Sequence, residues 1–156
     1  MSIEIERKFL VHKELWAKLH KPRGIKYKQG YLLTESDKTI RVRITEANAY
    51  LTIKGETKGI SRPEFEYSIP VKDANEMLTL FAGKILDKIR YRIEFKGKIW
   101  EVDVFEGENK GLILAEIELK GENEKFEIPE WIAEEVTGDE RYYNSCLSLH
   151  PFKSWE

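Results

Sequence analysis

Glu4, Glu6 and Lys8 place two carboxylates and an ammonium at every second position of the first nine residues. Ile3, Ile5 and Phe9 lie among them, and only Arg7 breaks the apolar set. Alternate residues of a strand share one face, so these three polar groups point the same way. The same alternation recurs along the chain. Arg41 and Arg43 interleave with Ile40, Val42 and Ile44, and Thr52 and Lys54 with Leu51 and Ile53. Glu64 and Glu66 interleave with Phe65, Tyr67 and Ile69, and Lys88, Arg90 and Arg92 with Ile89, Tyr91 and Ile93. Glu101 and Asp103 interleave with Trp100, Val102 and Val104, and Glu116 and Glu118 with Ala115, Ile117 and Leu119. Carboxylate pairs are the hard oxygen donors that Mg²⁺ and Mn²⁺ prefer. Arginine pairs match phosphate oxygens through two parallel N–H donors. The chemistry implied is metal-assisted work on a phosphate-bearing anion.

A sheet with one solvated face accounts for any single strand of this kind. Two features of the set go further. Acids and bases are segregated by strand, and arginine outnumbers lysine on the basic ones. The elements that position them are eight strand-like segments: 3–11, 25–34, 38–46, 49–54, 64–71, 85–95, 98–105 and 112–120. Turn signals at 35–37, 46–48, 96–98 and 107–111 separate several of them, and 55–63 reads as a polar, mobile loop. Helical spacing is expected at 12–20, at 73–81 with Asp73 as its cap, at 129–136, and again from about Glu140.

At 156 residues, 41% hydrophobic, the chain is read as one domain, 1–156, with a real core. Its 26 basic and 28 acidic side chains nearly cancel, which argues against a nucleic-acid partner. A single cysteine, Cys146, rules out an internal disulfide framework, and a small buried hydrophobe is its default reading. Acids at positions 4 and 6 interrupt any apolar leader, and no apolar run reaches membrane-spanning length, so a cytoplasmic protein without a membrane partner is expected. The three histidines lack zinc-site spacing, and no glycine-rich phosphate loop opens a helix.

Eight closely spaced strands suggest a sandwich or a barrel. Closing them into a barrel would turn the charged faces inward and leave the apolar faces to be covered by helices. A dry interior of unpaired charges is untenable, because each ion costs several kcal/mol to desolvate. A water-filled tunnel that receives metal ions and a polyanion removes the difficulty.

The ordered series Glu4-x-Glu6-x-Lys8, Gln29-Gly30-Tyr31-Leu32, Arg41-Val42-Arg43, Leu51-Thr52-Ile53-Lys54-Gly55, Arg62-Pro63-Glu64-Phe65-Glu66, Lys88-Ile89-Arg90, Glu101-Val102-Asp103 and Glu116-Ile117-Glu118 resembles the CYTH superfamily, also called triphosphate tunnel metalloenzymes. The tail from Glu135 to Tyr142 is similar to that of the short bacterial members. The resemblance implies an α+β, mainly antiparallel fold: a closed eight-stranded tunnel with a charged interior, helices outside and a C-terminal helix near one mouth. It also implies a small-molecule triphosphate substrate and divalent metal, Mg²⁺ or Mn²⁺, with two ions fitting the acid tally. Glu4, Glu6, Asp103, Glu116 and Glu118 are the candidate metal ligands, with ion pairing to the tunnel's own bases as the alternative. Arg41, Arg43, Lys54, Lys88 and Arg90 are the candidate phosphate clamps. Lys8 binds phosphate or joins Tyr31 in a catalytic pair. Glu64, Glu66 and Glu101 are left between metal binding and structural ion pairing, and Arg92 between phosphate binding and a solvent-facing role. Hydrolysis of inorganic triphosphate leads the readings. An adenylate cyclase, a thiamine triphosphatase and a non-catalytic polyphosphate-binding module stay open, as does a homodimer.

Overall fold

A computed structural model describes residues 1–155. The strands are β1 (Ser2–Val11), β2 (Ile25–Thr34), β3 (Lys38–Thr45), β4 (Asn48–Gly55), β5 (Ser61–Ile69), β6 (Ile85–Phe95), β7 (Lys98–Phe105), β8 (Ile113–Glu118) and β9 (Ile132–Glu135). Three α-helices, α1 (Lys13–Lys18), α2 (Val71–Phe81) and α3 (Asn144–Leu149), accompany them. The sheet runs β5-β4-β3-β2-β6-β7-β8-β1-β9, and a further β5–β1 pairing closes the first eight strands into an antiparallel barrel. No helix among the described residues is long and apolar enough to cross a membrane.

The ninth strand corrects the helix expected over 129–136. β5 covers β1 only from Ser2 to Ile5. The rest of that edge of β1 would leave backbone groups unpaired, which is costly once they are buried. β9 fills the gap, pairing Phe9 with Glu135 and Val11 with Ile132. Two more corrections are local. α2 starts at Val71 with Pro70 before it and has no side-chain cap, so Asp73 lies inside its first turn. Ser61, Arg62 and Pro63 belong to β5 rather than to the preceding loop.

Helices and tail cover the outside of the barrel. Ala74 and Leu78 of α2 bury Val42 and Ala49. A Cβ on Gly30 would meet Ala82 and Leu78 at 2.8 Å, so only glycine lets α2 sit this close to β2. On the opposite flank Trp16 of α1 and Trp131 before β9 join Phe9 and Trp100 in an aromatic cluster. The Phe9 and Trp100 rings meet edge-on at 5.5 Å.

One apolar cluster lies inside. Leu86, Phe105 and Leu114 share the inward parity of Lys88, Asp103 and Glu116, yet they are buried together with Leu147 of α3. The charged interior expected throughout therefore stops short of one end, where α3 seals the barrel with a greasy stopper. The expected position of the C-terminal helix holds, and its apolar face explains it.

Trp100 is fully buried and touches Phe9, Phe126 and Trp131. Trp100→Ala is expected to cost about 3–5 kcal/mol through the cavity it leaves. Urea unfolding followed by circular dichroism measures the loss.

Candidate active site

The barrel encloses a cavity of about 370 Å³. Seven basic side chains line it: Lys8, Arg41, Arg43, Lys54, Arg62, Lys88 and Arg90. Seven acidic ones face them: Glu4, Glu6, Glu64, Glu66, Glu101, Glu116 and Glu118. Strand parity puts them there, since β1, β3, β4, β5, β6, β7 and β8 each turn alternate residues inward.

Glu4 sits in a fork of cations, taking a hydrogen bond from Lys54 Nζ at 2.7 Å and one from Arg62 Nε at 3.0 Å. Burial alone would raise the Glu4 carboxyl, but Lys54 and Arg62 outweigh it and hold the group well below the usual carboxylate range. Glu116 is held low in the same sense: burial opposes ionisation, and Lys8 and Arg90 overcome it. Glu6 goes the other way. Burial, with Glu116 and Glu4 beside it, pushes its carboxyl well above 4.5. Glu118 is raised by burial and by its neighbours Glu4 and Glu101. Glu4, Glu6, Glu116 and Glu118 thus form a crowded acid set at one side of the cavity, and the two that resist ionisation, Glu6 and Glu118, carry the repulsion that a hard divalent cation relieves. Among the described residues no three such side chains converge as ion ligands.

The structure does not bring Asp103 into this set. Asp103 is fully buried, and Lys88 Nζ (2.8 Å), Arg90 Nε (2.7 Å) and a second Arg90 nitrogen (2.9 Å) take both of its oxygens. Burial is outweighed by Arg90 and Lys88, and the carboxyl lies below its ordinary value. Asp103 is a counter-ion behind two of the cavity's cations. Those cations press on one another: burial, aided by Arg90 and Arg43 and opposed by Asp103, draws the Lys88 ammonium down to about 7. Burial and the neighbouring Arg41 and Arg90 bring Arg43 to about 10.

Arg41 is the side chain that asks for a ligand. One terminal nitrogen donates to Thr52 Oγ1 at 3.1 Å, while its Nε is buried and, among the described residues, without a partner. Lys8 Nζ donates to the Tyr142 carbonyl at 3.1 Å and lies 4.0 Å from Glu116. Tyr31 lines the same cavity, so the expected pair shares the site, although the lysine is held by the tail here. Arg92 is largely exposed and pairs with Glu101 at 2.9 Å, a surface role. Glu64 lies 3.5 Å from Lys54, and Glu66 accepts from Thr52 Oγ1.

Sequence reasoning passed over three participants. Arg62 has the inward parity of Glu64 and Glu66, but starting the strand at Glu64 hid it. Gln29 is inward on β2 and accepts from Arg43 Nε at 3.0 Å; being uncharged, it gave no charge signal. Tyr27 presents its ring to Arg43 and Arg90 at 4.9 and 5.0 Å, and only the closed sheet shows that.

A CYTH domain matches residues 2–144. The chain belongs to the CYTH domain family. Within that family it is 49% identical over its whole length to a protein of Acetivibrio thermocellus named inorganic triphosphatase, covering 99% of that relative. It is 37% identical over 94% of its length to an inorganic triphosphatase of Nitrosomonas europaea, covering 97% of it. A crystal structure of an inorganic triphosphatase superposes with a TM-score of 0.66 at 33% identity, covering 96% of each chain. The CYTH signature therefore lies on the strands that build this cavity.

The acid set gives a signed pH dependence. Glu6 stays protonated in the folded chain where the unfolded chain has lost that proton, so its contribution to stability falls as pH rises above about 4.5. Glu6→Gln removes that term. The thermal midpoint of the variant relative to the native chain is expected to rise as pH increases from about 5 into the neutral range. Scanning calorimetry across that range reads the difference.

Proposed function

We propose that this CYTH chain is a divalent-metal-dependent inorganic triphosphatase, one domain acting in the cytoplasm on a small soluble polyanion. The observation that carries the reading is the charge-balanced cavity, with the buried Arg41 Nε finding no acceptor among the described residues. A polyanion that entered alone would meet as many carboxylates as cations. Binding it needs cations brought in with it, and the two relatives named inorganic triphosphatase support the choice of anion.

Arg41, Arg43, Lys54, Lys88 and Arg90 hold phosphate oxygens in this reading, and Arg62 joins them. Glu4, Glu6, Glu116 and Glu118 would hold Mg²⁺ or Mn²⁺, and two ions would match the charge carried in. When bound, the metal neutralises phosphate oxygens and makes water a better nucleophile. Ion binding requires Glu6 to release its proton and Glu4 to loosen its hold on Lys54 or Arg62. Asp103 is left out of the ligand set; it keeps Lys88 and Arg90 fixed in direction, the preorganised electrostatics that phosphoryl transfer depends on. Lys8 and Tyr31 flank the cavity where they can orient the attacking water.

Phosphate release from inorganic triphosphate, thiamine triphosphate and ATP, with cyclic AMP assayed in parallel, tests the reading. Inorganic triphosphate is expected to be turned over fastest, and chelation of divalent metal with EDTA to abolish the reaction. Full activity in EDTA, or cyclic AMP as the main product, would overturn it. Arg41→Ala is expected to raise KM for triphosphate on the order of tenfold through loss of a charge-assisted contact. Glu118→Gln is expected to lower activity in a way that excess metal partly restores.

A further inference from the structure

Asn144 opens α3, and its side chain reaches into the cavity. Its Oδ1 accepts from Lys88 Nζ at 2.8 Å and from Gln29 Nε2 at 3.2 Å. The chemistry of its neighbours fixes this orientation. An ammonium can only donate, so the Asn144 atom facing Lys88 is the oxygen. Arg43 likewise can only donate, so it faces Gln29 Oε1 and turns Gln29 Nε2 towards Asn144. A neutral amide oxygen thus occupies an acceptor position between two donors, one of them a buried cation. Directly beyond it the interior is apolar: Leu147 of α3 is buried against Leu86, Phe105 and Leu114.

We propose that Asn144 is the end-stop of the phosphate chain and sets its register. The inference rests on the triphosphatase reading. A linear polyphosphate enters from the end of the barrel away from α3, because the apolar stopper offers nothing to solvate an anion. Its leading phosphate takes the one Lys88 donor that Asp103 and Asn144 leave over and is halted there by the Asn144 oxygen, which keeps the second Lys88 donor and that of Gln29. Longer chains then project outward from the open end, and the bond cleaved is the one next to the halted phosphate. In that step a water oxygen bonds to the terminal phosphorus while the bridging P–O bond breaks. The shortened chain leaves with the bridging oxygen and its electron pair, and the water's proton passes to solvent. Stopped by Asn144, the chain loses one phosphate at a time. Without that stop, Lys88 and Gln29 can accept the leading phosphate one unit deeper, and the cut moves inward by one bond.

Linear tetraphosphate separates the two registers, since triphosphate gives phosphate and pyrophosphate in either. The native chain is expected to yield phosphate and triphosphate from it at early times. Asn144→Ala is expected to raise the share of tetraphosphate split into two pyrophosphates on the order of tenfold, the scale of one released donor pair. Ion chromatography of initial products reads this, with thermal melting to confirm folding. A folded Asn144→Ala whose products match the native chain overturns the proposal. If that variant does not fold, the isosteric Asn144→Asp decides: its added negative charge at the stop should weaken calorimetric binding of triphosphate and tetraphosphate on the order of tenfold, and unchanged affinity overturns the proposal. A native chain that cleaves triphosphate but splits tetraphosphate in the middle refutes the end-stop alone. A native chain that neither binds nor cleaves triphosphate refutes the functional reading beneath it.

Discussion

Every charge that faces the inside of a closed sheet must be paired, hydrated or neutralised by a proton, and that requirement organises this molecule. Pairing and proton retention both operate within one cavity. Lys88 and Arg90 are paired with buried Asp103. Glu4 is forked between Lys54 and Arg62. Burial, with Glu116 and Glu4 beside it, raises the Glu6 carboxyl towards its protonated form. Arg41 Nε is left over, buried without an acceptor among the described residues. A core of this kind contributes little net stability, since desolvation consumes much of what pairing returns. The fold's stability is carried instead by apolar patches on the outside of the barrel and by the stopper at one end.

The tail beyond β8 does three structural jobs. β9 covers the edge of β1 that β5 leaves open. The segment from Thr137 to Tyr142 receives Lys8, with the Tyr142 carbonyl accepting its ammonium. α3 then supplies Leu147 to the stopper and Asn144 to the polar boundary in front of it. A tunnel with one sealed end imposes direction on its ligand, because an apolar wall repels an anion while the donors just before it attract one. Binding and orientation are therefore set by the same few ångströms of structure.

Much of the site was legible as parity. A closed barrel has only two faces, so once Glu4, Glu6 and Lys8 are placed on one, the same alternation places Arg41, Arg43, Lys54, Lys88, Arg90, Glu116 and Glu118 beside them. Parity does not fix partners. Asp103 shares the inward face but lies level with Arg90 on the neighbouring strand, which pairs with it directly. Arg62 was lost with a strand boundary: 55–63 reads as a polar loop, and β4 pairs β5 only from Glu64 onward, so Ser61 to Pro63 join the sheet through β1 alone. The segment 129–136 has helical spacing, yet the unpaired edge of β1 outweighs local propensity.

By itself the sequence determined the alternation and which side chains share a strand face, because the two-residue period of a strand is local geometry; alternation left a sandwich or a barrel open, and the family resemblance pointed to the closed barrel. It also carried the family signature. Only the tertiary structure decided which of those charges satisfy one another and which are left for a ligand, because that depends on the stagger between strands distant in sequence. The same holds for the closed end. Leu86, Phe105 and Leu114 sit on the polar side of their strands, and nothing local marks them as a stopper. They become one when Leu147 arrives from the other end of the chain and excludes water from the barrel's mouth.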